Sequence, residues 1–479
     1  MKSISSAKWN ITGQVAIQLL NVGGTIVLSR WLPPGAVGLL LMLSLISNFV
    51  AIIFNHVIGN AVVQNSSLNN KDLSSIFWMN IFIAAFFHIL LFLFSPVISA
   101  FYKEDQILKY LPYFGTVFFF YALGGVSQAL LVKRHAFKRI VAGNLVGITV
   151  SFSVAIFMVA QGYGVESLFV QLLLNTFISS LFFFIAEKWK PLFHFSFSSL
   201  KKVRRFVSHL LFNSSLEYLV FNLDNFIVGR FFGNTGLGLY GRARQWVFLP
   251  VQNVAFSISR SFFPTFVQLK DDFDSLQKTF LFSFRLSFYL TCILLIFMVV
   301  SAGDLVHIFL GEQWLEIVPL FIWFSFTGIV GTINGFNDSF ITSQGKTGLL
   351  LRTGIFEKIF TVAGLLLAIP YGLKGLVIAR LITSLCIVIP KTYVALRVAR
   401  ISFSKWMHEI LPALSICFLL LVAGITSVRA LDSISGIARL SIVSGVYLLL
   451  LIILSYLFKE PAYQTLLKAI LHRKKPEPK

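Results

Sequence analysis

Long apolar stretches occupy most of the sequence and limit how the chain can fold. A membrane-spanning helix needs about 20 mostly apolar residues. Segments of this kind are predicted at residues 11–31, 37–58, 75–99, 108–131, 140–160, 165–186, 209–232, 239–262, 280–302, 315–341, 353–370, 373–396, 410–428 and 438–458. Transmembrane β-strands would instead alternate apolar and polar residues over about 10 positions. The prediction is an all-α polytopic membrane protein with about 14 transmembrane helices.

Composition excludes several other classes. Charged residues make up only 12 % of the chain and hydrophobic residues 57 %, whereas a soluble domain carries about 25 % charged residues. The net charge of +21 is spread over many short loops and forms no basic stripe, so no nucleic acid partner is expected. No P-loop and no metal-ligand spacing occur, so no cofactor, metal or catalytic site is predicted and the chain is interpreted as a transporter, not an enzyme.

The positions of lysine and arginine predict the orientation. With a cytoplasmic N-terminus, 28 of the 40 basic residues fall in cytoplasmic segments and 6 on the opposite side. This asymmetry follows the positive-inside rule. It predicts a multi-pass membrane protein with both termini in the cytoplasm.

The sequence also repeats itself at an offset of 200 to 208 residues. Three pairs of segments match, namely 30–39 with 230–239, 101–104 with 309–312 and 162–168 with 370–376. Six spans separate the copies, so both copies have the same orientation, as in transporters built from parallel repeats. The predicted domains are an N-terminal six-helix lobe (1–200), a C-terminal six-helix lobe (201–400), and two further helices with a basic cytoplasmic tail (401–479).

Several motifs resemble the Wzx-type, WzxC-like flippases of the multidrug/oligosaccharidyl-lipid/polysaccharide exporter superfamily. They lie at residues 77–80, 222–233, 238–240, 249–253, 263–264 and 311–314. The resemblance implies two six-helix lobes in a V-shaped arrangement like that of multidrug exporters. It also implies translocation of a polyprenyl (undecaprenyl) diphosphate-linked oligosaccharide for O-antigen, capsule or exopolysaccharide synthesis. Membrane lipids, a polysaccharide polymerase and chain-length machinery would be its partners.

Arginines inside the apolar segments are the candidate contacts for a diphosphate. Arg242, Arg244 and Arg380 lie in the outer half of their spans, and a guanidinium can hold two phosphate oxygens at once. Arg242 and Arg244 are two residues apart, about 200° around a helix, so they cannot both face one cavity. Arg30 and Arg230 are repeat equivalents that could be cavity-mouth cations or interface anchors.

Other embedded groups leave their roles open. Asp224 and Glu217 are seven residues apart in one predicted span and could bind a coupling ion or compensate the arginines. Trp246 could stack on a sugar ring or pack in the core. Arg260, Arg285 and Arg439 lie near span ends and are expected to reach the membrane surface.

Three alternative functions remain. A multidrug/cation antiporter of the same superfamily would need embedded carboxylates, but the acids before residue 200 fall in loops or at span ends. A lipid II flippase would likewise need cations to hold the diphosphate of its substrate. A membrane glycan polymerase or ligase would need a large outer loop, and none is predicted here.

Overall fold

A computed structural model of the chain describes residues 2–434 and 436–464, and this part is helical throughout, without a β-strand. The basic tail predicted after residue 464 lies outside the described residues. The chain divides into two compact units, Met1–Gly241 and Arg242–Lys479. This boundary falls inside a long helix, some 40 residues after the predicted lobe boundary, and the division into lobes stays a prediction.

The first unit holds nine helices or parts of helices. Their bounds are α1 (Lys2–Trp31), α2 (Pro34–Ile52), α3 (Gly59–Gln64), α4 (Asn70–Tyr102), α5 (Gln106–Phe114), α6 (Val117–Lys133), α7 (Phe137–Ala160), α8 (Val165–Ala186) and most of α9 (Phe197–Pro250). A π-helical turn at Ile53–Ile58 joins α2 to α3. Within α9, Gly233 leaves helical geometry with φ 69°, so the element consists of two helices in sequence.

The second unit begins in the last turns of α9. It continues with α10 (Phe256–Gln268), α11 (Phe273–Val300), α12 (Ala302–Leu305), α13 (Val318–Ser343), α14 (Thr347–Ala368), α15 (Gly372–Ala399), α16 (Phe403–Ala430) and α17 (Gly436–Leu457). Short π-helical turns at Val251–Ala255 and Val306–Leu310 and 3₁₀ turns at Glu312–Ile317 and Ile369–Tyr371 connect them. Its core is a stack of phenylalanine rings from α11 and α13, with Phe280 and Phe340 centroids 4.7 Å apart.

Ten helical stretches of the described chain are long and apolar enough to cross a membrane. One of them, Thr347–Ala399, contains both α14 and α15, which are separated before Gly372 (φ 73°). The predicted first and seventh spans fall in α1 and in the first part of α9, and the eighth runs from the second part of α9 into α10. These elements are more polar than the ten. Together these elements agree with the predicted all-α polytopic fold of about 14 spans.

The repeat is visible in how equivalent helices end. At the end of α6, His135 takes φ 54° and the Ala136 N–H donates to the carbonyl of Leu131. At the end of α13, Gly345 takes φ 71° and the Lys346 N–H donates to Ile341 in the same way. Both are Schellman-type ends with a left-handed residue. They lie 210 residues apart, so equivalent helices in the two copies end by the same device.

Two further irregularities also recur between the copies. Lys103 (φ 56°) ends α4, and Gly311 (φ 100°), 208 residues later, begins the turn before α13. The π-helical turns at Ile53–Ile58 and Val251–Ala255 fall in the second and eighth predicted spans, about 200 residues apart. Backbone irregularities of this kind are costly, so their recurrence supports a genuine structural repeat.

Equivalent glycines of the repeat meet each other inside the first unit. A Cβ added to Gly38 on α2 would lie 2.8 Å from the backbone nitrogen of Gly238 on α9, and one added to Gly238 would lie 3.1 Å from the nitrogen of Gly38. The carbonyls of Pro34 and Asn234 lie closer still. The two backbones therefore approach to a distance that only glycine permits.

Candidate functional site

Arg242 is the most deeply buried of the candidate cations, with 7 % of its surface exposed. Its guanidinium donates to the Oε1 of Gln245 at 3.1 Å and lies over the indole of Trp314, 5.5 Å from the ring centroid. Its Nε has no hydrogen-bond partner among the described residues. A desolvated guanidinium with donor capacity left over is suited to bind an anion.

The segment that positions Trp314 is one of the motifs singled out in the sequence. Gly311 turns the chain with φ 100°, and the 3₁₀ turn Glu312–Ile317 then places the indole, which is fully buried. Burial of the Trp314 ring holds its face beside Arg242, where a cation–π contact of this length contributes about 0.5–2 kcal/mol. The motif at residues 311–314 thus holds the guanidinium of Arg242 in place inside the second unit.

Arg244, Arg380 and Trp246 lie in the same unit. Arg244 and Arg380 are half-buried on α9 and α15, in keeping with Arg242 and Arg244 facing different directions. Trp246 is half-buried and packs on Phe309, with ring centroids 5.9 Å apart. This packing is the structural role considered for Trp246, and its contact with a sugar stays a prediction.

The two arginines at the predicted outer ends differ in environment. Arg30 is exposed at the end of α1. Arg230 is half-buried, and its guanidinium lies over the ring of Phe101 at 5.5 Å. Asn234, one turn further on, donates to the Oε2 of Glu104 at 2.8 Å. The Phe101–Glu104 segment therefore holds this part of α9 in place, and whether Arg30 and Arg230 are cavity-mouth cations or interface anchors stays a prediction.

The two acids of α9 also differ. Asp224 is 1 % exposed and accepts hydrogen bonds from the Tyr240 hydroxyl at 3.0 Å and from the Asn225 N–H at 3.0 Å. Glu217, two turns earlier, is exposed. Only Asp224 therefore lies in an environment in which a charge is tightly held, and whether it binds an ion or compensates an arginine stays a prediction.

An ion triad around the buried Lys391 was not predicted from the sequence. The Lys391 side chain on α15 is only 2 % exposed. Its Nζ lies 3.0 Å from Asp338 of α13 and 2.7 Å from Glu357 of α14. The available signal was a lysine inside an apolar helix, which demands partners.

Two of the three arginines near predicted span ends form ion pairs with acidic residues distant in sequence. Arg285 is 13 % exposed and forms an ion pair with Glu409 of α16, with Glu460 at 3.9 Å. Arg439 binds both carboxylate oxygens of Asp304, one at 2.5 Å. Arg260 is exposed, and the position of all three at the membrane surface stays a prediction. Among the described residues, no group of three acidic, His or Cys side chains could hold a metal.

A family model described as "Polysaccharide biosynthesis protein" matches residues 27–319. The chain is 24 % identical over 352 residues to the teichuronic acid biosynthesis protein TuaB of Bacillus subtilis, covering 72 % of each chain. It is 22 % identical over 358 residues to the lipopolysaccharide biosynthesis protein WzxC of Escherichia coli, covering 74 % of this chain and 73 % of the relative.

The fold resembles two kinds of solved transporters. A structure of the lipid II flippase MurJ in an inward closed conformation superposes with a TM-score of 0.73 at 13 % identity, covering 96 % of this chain and 99 % of that one. An inward-facing multidrug resistance MATE family transporter of the MOP superfamily gives 0.62 at 15 % identity, covering 80 % and 95 %. These likenesses show the fold that the sequence predicted.

Proposed function

The chain belongs to the polysaccharide biosynthesis protein family, and from this we propose that it is a flippase. The proposed substrate is an oligosaccharide repeat unit on polyprenyl diphosphate. It would be moved from the cytoplasmic to the outer leaflet of the bacterial cytoplasmic membrane for surface polysaccharide synthesis. The relatives named for teichuronic acid and lipopolysaccharide biosynthesis support the substrate class, and the MurJ-like fold supports transport of a lipid-linked molecule.

The burial and contacts of Arg242 extend the proposal to particular residues. A diphosphate that leaves water needs cations that are already desolvated and oriented. Charge-assisted hydrogen bonds are strongest in the protein interior, where the dielectric constant is low. Arg242 is buried, is held against Trp314 and keeps an unbonded Nε–H. Arg244 and Arg380 are proposed as further cations of the cavity, and Arg30 and Arg230 as cations at its mouth.

Alternating access is the proposed mechanism. Two six-helix lobes, residues 1–200 and 201–400, would rock about a cationic central cavity that opens to one leaflet at a time, as in transporters with parallel repeats. Both termini would be cytoplasmic. Asp224 would either bind a coupling ion or balance the arginines, and Trp246 would contact a sugar ring where the cavity is wet. A polysaccharide polymerase would take up the product at the outer leaflet.

A multidrug/cation antiporter is the first alternative. Two buried acids of the first unit do not favour it, since Asp72 and Glu187 form ion pairs with Lys202 (2.7 Å) and Arg134 (2.6 Å). Asp224 is the buried acid of this unit that such an antiporter would use. A lipid II flippase is the second alternative and would carry a different head group on the polyprenyl diphosphate. The two flippase proposals are separated by offering each lipid to the purified protein.

The test uses vesicles containing the purified protein and a fluorescent lipid-linked oligosaccharide in the inner leaflet. Wild-type protein should expose the sugar to an external lectin, whereas Arg242→Gln should slow exposure at least tenfold. Arg429→Gln, which removes an exposed arginine at the end of α16, is the matched control and should leave the rate unchanged. If wild-type protein moves lipid II but no polysaccharide repeat unit, or if all three variants Arg242→Gln, Arg244→Gln and Arg380→Gln are fully active, the proposal fails.

A further inference from the structure

An apolar groove lies on the first unit between α4, the segment 187–196 and the start of α9. Its volume is about 1010 Å³, and its walls are mainly aromatic, with Trp78, Phe82 and Phe86 from α4 facing Phe193 and Phe195. Phe86 and Phe193 are 60 % and 97 % exposed. Trp78 and Phe87 mark the two ends of the groove along α4, which at 1.5 Å per residue are about 14 Å apart. That length is about half of the ~30 Å hydrocarbon core of a bilayer, so the groove is about as long as one leaflet is thick.

The outer wall of the groove is fixed in place although it is not helical. The Trp78 indole N–H donates to the Leu192 carbonyl at 2.8 Å, and the Leu192 N–H donates to the Ser74 hydroxyl at 2.9 Å. The Ser196 N–H donates to the Ser75 hydroxyl at 3.1 Å. These bonds tie the segment to the first turns of α4, so the groove is preformed rather than a gap between mobile loops.

A basic pocket lies on the opposite face of the same helix. Leu200 and Leu211 of α9 line the apolar groove. Lys202, Arg205 and His209 line the basic pocket, with a volume of about 590 Å³. At 100° per residue, Leu200 and Leu211 lie within about 20° of each other, and the three basic positions lie about 120° to 180° away from them. The N-terminal half of α9 thus separates a hydrocarbon site from a cationic site by one helix diameter, about 10 Å.

We propose that these two sites capture one lipid before it is flipped. The polyprenyl chain would occupy the aromatic groove, and the diphosphate would reach around the start of α9 to Arg205 and His209. This inference rests on the proposed function and adds to it an entry site in the first unit.

Charge and shape together favour this occupant. A cationic pocket beside an apolar groove matches a lipid with an anionic headgroup. A polyprenyl diphosphate carries more negative charge than a phospholipid monoester or diester head, and its chain is long enough to fill the groove while its head remains across α9. Lys202 already pairs with Asp72 at 2.7 Å, which leaves Arg205, without an ion-pair partner among the described residues, to bind the diphosphate.

Photocrosslinking tests the groove directly. A benzoylphenylalanine is placed at Phe86 in the full-length protein, which is reconstituted in phosphatidylcholine vesicles containing radiolabelled undecaprenyl diphosphate. Phe418 is the matched control, since it is 65 % exposed and lies about as far into α16 as Phe86 lies into α4. Labelling at position 86 should exceed labelling at position 418 at least tenfold. Phe82, 61 % exposed, is the second groove position if the first substitution impairs folding.

Competition and charge variants test the diphosphate part. Unlabelled undecaprenyl diphosphate should abolish labelling at position 86, and an equal amount of phosphatidylglycerol should not. Arg205→Gln should lower labelling at least threefold, whereas Arg204→Gln, which changes the exposed neighbour outside the pocket, should leave it unchanged. Equal labelling at positions 86 and 418, or equal competition by phosphatidylglycerol, would overturn the proposal.

The two proposals fail separately. If wild-type protein flips the lipid-linked oligosaccharide but the position 86 variant shows no preferential labelling, the flippase function stands and the entry site fails. If the position 86 variant is labelled selectively but wild-type protein flips no lipid, the lipid site stands and the flippase function fails.

Discussion

Replacing Gly238 with alanine should disrupt the closest backbone contact in the first unit. The new Cβ would lie 2.8 Å from the carbonyl carbon of Pro34 and 3.1 Å from the nitrogen of Gly38, with the Pro34 carbonyl oxygen nearer still. All three atoms belong to the backbone, so no side chain can rotate away. The substitution can be accommodated only if α2 and α9 move apart.

The magnitude follows from two opposing terms. Overpacking a well-packed contact costs about 1–3 kcal/mol, and a clash between backbones belongs at the upper end. Replacing glycine by alanine in a helix offsets part of this, since it stabilises by about 0.4–1 kcal/mol where the backbone is compatible. We expect Gly238→Ala to destabilise the protein by about 2 kcal/mol, and Gly38→Ala, on the other side of the contact, to do the same.

Heating purified protein in detergent and measuring the soluble fraction gives an apparent Tm for each variant. Because membrane proteins of this size unfold irreversibly, variants are compared at one heating rate. Gly445→Ala is the matched control, since Gly445 lies inside α17 and an added Cβ meets nothing within 4 Å. The Tm should fall for Gly238→Ala and stay level or rise for Gly445→Ala. Equal Tm values for the two variants would refute the close approach.

Two further predictions use the same heating assay. Lys391→Met should destabilise the protein by about 3 kcal/mol, because it leaves Asp338 and Glu357 without their cation. Neutralising all three positions, with Asp338→Asn and Glu357→Gln added, should recover most of that loss; a triple variant no more stable than the single one would contradict the ion triad. Burial raises the pKa of the Glu460 carboxyl, against the opposing effect of Arg285. Ionisation of Glu460 therefore costs more free energy in the folded protein than in the unfolded chain. Glu460→Gln should have the higher Tm at pH 7.5, and the difference should shrink as the pH falls through the raised pKa. A difference that does not change with pH would rule out this titration.

Span number, fold class and repeat could be predicted because each follows from local sequence. Apolar length specifies a helix in lipid, where every backbone N–H and C=O must be bonded within the segment. The repeat was found from short matches such as residues 101–104 with 309–312, and these matches coincide with the positive φ angles at Lys103 and Gly311.

The partners of buried charges could not be predicted, since they depend on which helices pack together. Arg439 meets Asp304 across 135 residues, and Lys391 meets two acids on two other helices. The apolar groove was equally inaccessible to sequence reasoning, because its outer wall, residues 187–196, is held by partners distant in sequence. Hydrogen bonds to Ser74, Ser75 and Trp78 of α4 place this segment.

The meeting of Gly38 with Gly238 has the geometry of an isologous dimer contact, in which a residue faces its own copy across a two-fold axis. A six-helix ancestor that paired with itself would have made this contact, and fusion of two copies would preserve it within one chain. Fusion also frees the two sides to diverge. Pro34 now stands opposite Asn234, and only the asparagine side chain can donate to Glu104. A contact that would be identical on both sides of a dimer axis is therefore asymmetric in this chain.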